Sequence, residues 1–499
     1  MFKTIILSVN SKFIHTLLAP RYLVANINNY DCNSSINDFG CNNYYNGSVE
    51  IYETNINTSI YETVTDLYKL KPQIIAVSCY IFNIEYVIKV LKEIKVILPY
   101  VKIILGGYEA IFDTQRFDNI SDVIIRGEGD IIFGQVLSAI ECGDKVPHIV
   151  DGREIENLDR IISPYTEEYA KLGKDKILYF ESSRGCPFSC SYCMSAGSNI
   201  RVFSLQRTFE DLERLMKYTP KQIKFVDRTF NFDMRRSEVI ITHIIEKYVR
   251  TKTNFHFEAA PELFDEQLLQ VIKKAPKGLF QFEVGVQSFN KETLTQVGRS
   301  ANEQKILYNI QKLVECNNSH IHTDLIAGLP LENYESFVDG FDKLYMTKAH
   351  CLQLGFLKVL KGSRLEKNSG EYKISNFPPY EIFESAYLPL EKLLMLKITE
   401  ETLELYHNSG RFNESLDFLI PKYFTPYEFF YNLGLFIKEN NIIKTGFSAF
   451  YQCDILYNFS ILKIKSIENT LISESKIELL KNKINNDFSI SGNVRKWRR

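Results

Sequence analysis

Cys186, Cys190 and Cys193 fall within the stretch ESSRGCPFSCSYC, at spacings of four and three residues, just after the apolar run KILYF. Three thiols so close together supply soft metal ligands from a single loop. A structural zinc ion usually takes four protein ligands in a tetrahedron, so a zinc site here would need a fourth group from elsewhere or keep an open position. An iron–sulfur cube is held by thiolates as well, and three of them would leave one iron free for a non-protein ligand. The other seven of the ten cysteines, Cys32, Cys41, Cys79, Cys142, Cys316, Cys351 and Cys453, are scattered and read as small buried hydrophobes. A zinc knuckle and incidental thiols are the plainer alternatives for the triplet.

The elements that must position this loop follow from the pattern of apolar runs. From the N-terminus, short, nearly all-apolar segments (TIILSVN, VEIYETN, QIIAVSCYIF, VKIILGG, DVIIRGEG) alternate with helical patterns. Strands covered on both faces have this character, and the alternation predicts βαβ units in a doubly wound, Rossmann-like α/β domain over 1–150. Residues 151–172 lose the rhythm and read as a linker. A second alternation runs through KILYFESS, QIKFVD, NFHFEAA, FQFEVGVQS, HIHTDLIAG and CLQLGFLKV. Six strand–helix repeats over 173–365 predict a partial (β/α)6 barrel, whose chemistry belongs at the C-terminal ends of its strands. The cysteine triplet follows such an end. Beyond 366 the strand signal fades, and PYEIFESAYLPLEKLLMLKITEETLELYHNSG and FTPYEFFYNLGLFIKENN read as helices of an accessory domain over 366–499 that ends in the basic tip RKWRR.

At 499 residues the chain is too long for one core. A net charge of only -2 with 24% charged residues gives no electrostatic footprint for nucleic acid or a membrane surface. No run of about 18 apolar residues occurs, and the start MFKTIILSVNSK lacks a signal-peptide core, so a cytoplasmic protein without a membrane span is expected. Clustered thiols in a reducing compartment are more often ligands or catalysts than disulfides.

The Cys-x₃-Cys-x₂-Cys loop after a first barrel strand, with Tyr192 before the third cysteine, resembles the radical S-adenosylmethionine (radical SAM) superfamily. The resemblance implies a 4Fe–4S cluster ligated by Cys186, Cys190 and Cys193. Its open iron would be chelated by SAM, whose reductive cleavage yields a 5′-deoxyadenosyl radical. Further segments, FEAAPE, EVGVQSF, QVGRS and TDLIAGLP, are similar to those of the subgroup that includes anaerobic coproporphyrinogen oxidases. By that similarity Asp324 would accept the ribose hydroxyls and Arg299 would pair with the methionine carboxylate. Glu258 and Gln287 would bind other polar atoms of SAM, which carries groups of matching polarity. Where the superfamily often shows a Gly-Gly-Glu-like run, this chain has FVDRTFN, with Asp227, Arg228, Thr229 and Asn231.

A doubly wound domain ahead of such a barrel resembles the cobalamin-binding radical SAM family, in particular the subgroup with an extra C-terminal domain of unknown function. NSKFIHTLLAPRYL, SCYIFNIE, ILGGYEA, RGEGD and FVDRTFN carry that likeness. It implies cobalamin beside Gly106, Gly107 and Gly127, where glycine loops allow backbone to approach a bulky flat ligand; as isolated residues they would simply make tight turns. The usual Asp-x-His-x-x-Gly signature is absent, and His15 reads as a packing residue instead of a lower axial ligand. The expected function is methylation of an unactivated carbon of a small-molecule or peptide substrate, with an electron donor such as flavodoxin or ferredoxin. The alternatives are a non-methylating rearrangement, cyclisation or oxidation and, further off, a non-catalytic binding protein. The catalytic residues themselves are not identified by the sequence.

Overall fold

Burial on both faces explains the apolar N-terminal strands: in β1 (Lys3–Asn10) every residue after Lys3 is buried. The computed structural model describes residues 2–30, 44–299, 302–440, 448–468 and 470–490; Cys32, Cys41 and the RKWRR tip lie outside them. β2 (Ser48–Asn55), β3 (Ile74–Ser78), β4 (Lys102–Gly106), β5 (Val123–Gly127) and β6 (Ile149–Gly152) complete a parallel sheet in the order β2-β1-β3-β4-β5-β6. The order reverses between β1 and β3, and that switch point opens a crevice at the strands' C-terminal ends. The sheet is thus the Rossmann-like one expected, with β6 as an added edge strand. After it, Leu158, Ile161, Tyr165 and Tyr169 are buried, and the Tyr169 hydroxyl bonds Thr16 (3.1 Å) and receives the Tyr179 amide (2.7 Å).

The chain divides into two compact units. The first is Met1–Glu258 with Val359–Lys367 and Ser375–Glu381; the second is Ala259–Lys358 with Asn368–Ile374 and Ile382–Arg499. In the first, β7 (Leu178–Phe180) precedes a small antiparallel clasp, β8 (Ser183–Arg184) with β9 (Arg201–Val202), and β10 (Gln222–Phe225) lies parallel between β7 and β11 (Asn254–Ala259). The second holds β12 (Phe280–Gln287), β13 (His320–Ala327) and β14 (Cys351–Phe356), again parallel. The six parallel strands coincide with the six apolar runs of the partial barrel, and helices separate them along the chain.

Helices dominate the C-terminal residues, including Leu390–Tyr406 and Pro426–Glu439. The latter starts at a Thr425/Glu428 capping box, and its Tyr427 amide donates to Asp342 Oδ1 (2.6 Å) on the barrel helix Tyr334–Tyr345. Aromatic pairs join the same two helices, Tyr334 with Tyr427 (5.7 Å between centroids) and Tyr345 with Phe430 (5.5 Å). One expectation is corrected: PYEIFES is not helical. Ile382–Ser385 forms a strand against Tyr372–Ile374, with Ile382 and Ser385 buried and Phe383 exposed, and β-branched and aromatic residues suit such a half-buried strand. Cys142 is likewise exposed, at the end of a helix, and not a core residue.

The two late segments of the first unit form a strap. Tyr380 donates its hydroxyl to buried Glu109 (2.7 Å) and receives a bond from Arg116 (3.2 Å), while Lys361 pairs with Asp113. Gly362 lies against Phe112, so close that a Cβ there would meet the ring at 2.4 Å. The Leu365 amide donates to the Ser191 carbonyl (2.9 Å), inside the cysteine loop.

Candidate functional site

The clasp of β8 and β9 closes the base of a loop over residues 185–200. Within it the Gly197 amide donates to the Phe188 carbonyl (2.9 Å) and the Cys193 amide to the Cys190 carbonyl (3.0 Å). Cys190 is buried, Cys186 and Cys193 half-buried, and none of the three is in a disulfide. The Ser195 amide donates to Cys193 Sγ (3.4 Å), and Cys186 Sγ lies 3.5 Å from Thr229 Oγ1. Donors at sulfur stabilise thiolate and tune what it binds. Among the described residues no three His, Cys, Asp or Glu side chains converge as one metal ion would require. A cube makes a different demand, because it places each thiolate on a separate iron. Three thiols spaced along one turn-rich loop, with amide and hydroxyl groups at two of the sulfurs, fit that donor set.

Asp227 underlies this loop. Its carboxylate accepts the Ser182 amide (2.7 Å), the Ser182 hydroxyl and the Ser183 amide (3.2 Å), immediately ahead of the clasp. Burial pushes the carboxyl up from its ordinary value, against the donors that favour its charged form. FVDRTFN thus supplies an internal support for the cysteine loop at this aspartate. Asp227→Ala should destabilise the apoprotein by roughly 2 to 6 kcal/mol, about 1 to 3 for each amide left buried without an acceptor. A thermal melt checks this, and an unchanged midpoint would remove the support role.

In the second unit, Gln287, Arg299 and Asp324 come together around Gly285. A Cβ on that glycine would stand 2.5 Å from Gln287 Nε2, 3.7 Å from Asp324 Oδ1 and 3.8 Å from Arg299 Nη1. Gly285 is paired with Asp324 across β12 and β13, and the register slips between Gly285 and Gln287. The irregularity puts Gln287 at φ 72°, a left-handed backbone that a non-glycine residue adopts at a cost of order 1 kcal/mol or more. Arg299, itself buried, donates to the Gly285 carbonyl (2.8 Å) and lies 3.5 Å from Glu262. Beside Gln287, Ser288 donates to buried Glu332 (2.5 Å), whose carboxyl burial raises to about 7. Glu258 belongs to the first unit, where it faces Lys224 of the neighbouring strand at 3.5 Å.

A cavity of about 770 Å³ opens at the switch point of the first sheet. Gly106, Gly107 and Gly127 line it together with His15, and Tyr179, Glu181, Arg184 and Val226 close its other side from the ends of β7, β8 and β10. Gly107 (φ 88°) and Gly127 (φ 82°) admit no side chain, since a Cβ would stand 2.5 Å from the Cys79 carbonyl oxygen and 2.4 Å from that of Gly152. The stacked pairs Tyr80 with Phe82 and Tyr108 with Phe112 add flat apolar surface to the lining. His15 bonds the Tyr179 hydroxyl through Nδ1 (2.8 Å); burial, then Lys12 and Lys224, lower its pKa from the ordinary imidazole value. Sequence reasoning singled out the glycines but missed Gly285, Glu262 and the support role of Asp227. It also assigned nothing to Glu128, which stands between Gly127 and Gly129 and faces two arginines, Arg184 at 3.4 Å and Arg201 at 2.6 Å.

Comparison with known proteins agrees with this layout. Residues 41–137 match the family described as B12 binding domain, residues 180–344 the Radical SAM superfamily, and residues 370–498 a protein family of unknown function, DUF4080. The chain is 24% identical to the cobalamin-dependent radical SAM methyltransferase TokK of Streptomyces tokunonensis over 431 residues, 77% of this chain and 61% of that protein. It is also 24% identical to the 2-(S-pantetheinyl)-carbapenam-3-carboxylate methyltransferase of Streptantibioticus cattleyicolor, over 76% of this chain and 60% of that one. The chain thus spans about six tenths of the length of these relatives. The fold is similar to that of the cobalamin-dependent S-adenosylmethionine radical enzyme OxsB with aqua-cobalamin bound, at a TM-score of 0.62 and 14% identity, covering 98% of this chain and 81% of that one. Among the described residues no helix is long and apolar enough to cross a membrane. In sequence, then, the chain combines a B12 binding domain match, a Radical SAM superfamily match that contains the three-cysteine loop, and a DUF4080 match.

Proposed function

We propose that this protein is a cobalamin-dependent radical SAM methyltransferase acting on an unactivated carbon of a small-molecule or peptide substrate. One observation carries the reading: the glycine-lined cavity shares its wall with the strand ends that lead into the cysteine loop, through Tyr179, Glu181 and Arg184. When bound, the reduced cluster and SAM supply a hydrogen-abstracting radical, and cobalamin supplies a transferable methyl group. The residues then divide the work of holding them. Cys186, Cys190 and Cys193 ligate the cluster. Asp324 receives the ribose hydroxyls of SAM, Arg299 its carboxylate, and Gln287 and Glu258 bind its remaining polar groups. Gly106, Gly107 and Gly127 let backbone approach the corrinoid. The likeness to TokK favours methyl transfer. An electron donor of the flavodoxin or ferredoxin class would reduce the cluster, and the domains would run over 1–150, 173–365 and 366–499, with 151–172 between the first two.

Because the Asp-x-His-x-x-Gly signature is absent, the corrinoid should bind base-off without a histidine nitrogen on cobalt. Electron paramagnetic resonance of the cobalt(II) form should therefore lack the threefold splitting of an axial nitrogen. A threefold splitting that disappears in His15→Ala would make His15 the lower ligand. Function itself is tested by anaerobic reconstitution with iron, sulfide, hydroxocobalamin and SAM, followed by mass spectrometry. 5′-Deoxyadenosine together with S-adenosylhomocysteine supports the reading. 5′-Deoxyadenosine alone would replace methylation by another radical reaction.

A further inference from the structure

Both flanks of the cysteine loop end on one short loop of the first sheet. Arg184, on β8, lays its guanidinium along Asp130 in two bonds (3.0 and 3.1 Å) and holds Glu181 at 3.1 Å. Arg201, on β9, forks Glu128 (2.6 and 3.1 Å) and donates to the Ile155 carbonyl (2.7 Å). Since β8 and β9 pair Arg184 with Arg201, the two arginines close the base of the cysteine loop side by side. Their partners Glu128 and Asp130 belong to the glycine loop after β5, and both line the cavity.

The network is largely shielded from water, with both arginine side chains 13% exposed and Asp130 8%. Burial alone would raise the Glu128 carboxyl, but the facing Arg201 and Arg184 outweigh it and hold it below the usual range. Bidentate arginine–carboxylate pairs fix geometry as well as charge. Separating one such pair indoors strands a charge, so few alternative arrangements exist. A shift of the glycine loop must therefore carry the base of the cysteine loop with it.

We propose that Arg201 and Arg184, acting through Glu128 and Asp130, are positioning residues that couple occupancy of the corrinoid cavity to the order of the cysteine loop. This rests on the cobalamin reading above and adds a route that neither cofactor site requires by itself. Coupling is reciprocal, so a corrinoid that settles the glycine loop must also restrain the thiols before any cluster is present.

The test uses the full-length, cluster-free protein and methylcobalamin in the dark, with N-ethylmaleimide labelling of Cys186, Cys190 and Cys193 followed by peptide mass spectrometry. Gel filtration first establishes whether the corrinoid is retained. In the wild type, retained methylcobalamin should slow labelling by about fivefold or more, the lower end of typical couplings. In Arg201→Gln, which leaves every residue of the cavity lining in place, the slowing should fall below about twofold with the corrinoid still retained, and Arg201→Lys should fall between the two. Unchanged labelling in the wild type with corrinoid retained would overturn the coupling and leave the function standing. Equal protection in wild type and Arg201→Gln would show that the ligand merely shields the thiols, and would also overturn it. No retained corrinoid would overturn the cobalamin reading and the coupling together.

Discussion

Replacing Cys186, Cys190 and Cys193 together by alanine should give a folded protein that takes up no iron–sulfur cluster and cleaves no SAM. The loss is complete because the other described cysteines are dispersed and none supplies a second cluster of ligands: Cys79 and Cys453 are buried, and burial raises both thiols. Folding should survive, because the β8–β9 clasp, the Asp227 support and the loop's own backbone bonds shape it, and the sulfur contacts at Cys186 and Cys193 are long, weak ones. Iron and sulfide assays after anaerobic reconstitution, with circular dichroism as the folding control, check both halves. Wild type should hold about four irons per chain and the triple variant close to none. About four irons retained in the variant would place the cluster elsewhere.

Arg299→Ala and Asp324→Ala should each weaken SAM binding by roughly ten- to hundredfold at unchanged iron content, since each removes a charge-assisted bond of about 1.5 to 3 kcal/mol. Gly285→Ala provides an independent check on the same place, because it deletes no polar group. Its new methyl would stand 2.5 Å from Gln287 Nε2 and within 4 Å of the other two side chains, filling the space they surround. Equilibrium binding of SAM to the reconstituted protein measures all three. If the arginine and aspartate variants both kept wild-type affinity, these residues would have no part in holding SAM.

Much of the fold was legible because it is written in local periods. Short apolar runs at regular intervals, with helical patterns between them, read as the strands of βαβ units, and the six runs of the barrel reappear as β7 and β10 to β14. The cysteine loop and the gathering of Gln287, Arg299 and Asp324 follow from the rule that such folds collect polar groups at strand ends. What stayed hidden depends on pairing across long separations. Nothing near Glu128 in the chain announces Arg201, which is 73 residues away, and nothing near Asp227 announces Ser182, which is 45 residues away. PYEIFES misled for a related reason. Its composition suits either state, and only its pairing with Tyr372–Ile374 decides for a strand.

The strap bears on how the protein is made. Glu109 and Asp113 leave the ribosome well ahead of their partners Tyr380 and Lys361, which are translated roughly 250 residues later, at about 5 to 20 residues per second a delay of tens of seconds. The cysteine loop waits as well, since the amide that meets the Ser191 carbonyl belongs to Leu365. Nascent chains therefore display the B12-binding sheet and the thiol loop without their final brace until Lys361, Leu365 and Tyr380 have emerged. A gene fragment ending at the last barrel strand would keep every cofactor-facing residue named here and still yield an unbraced first unit.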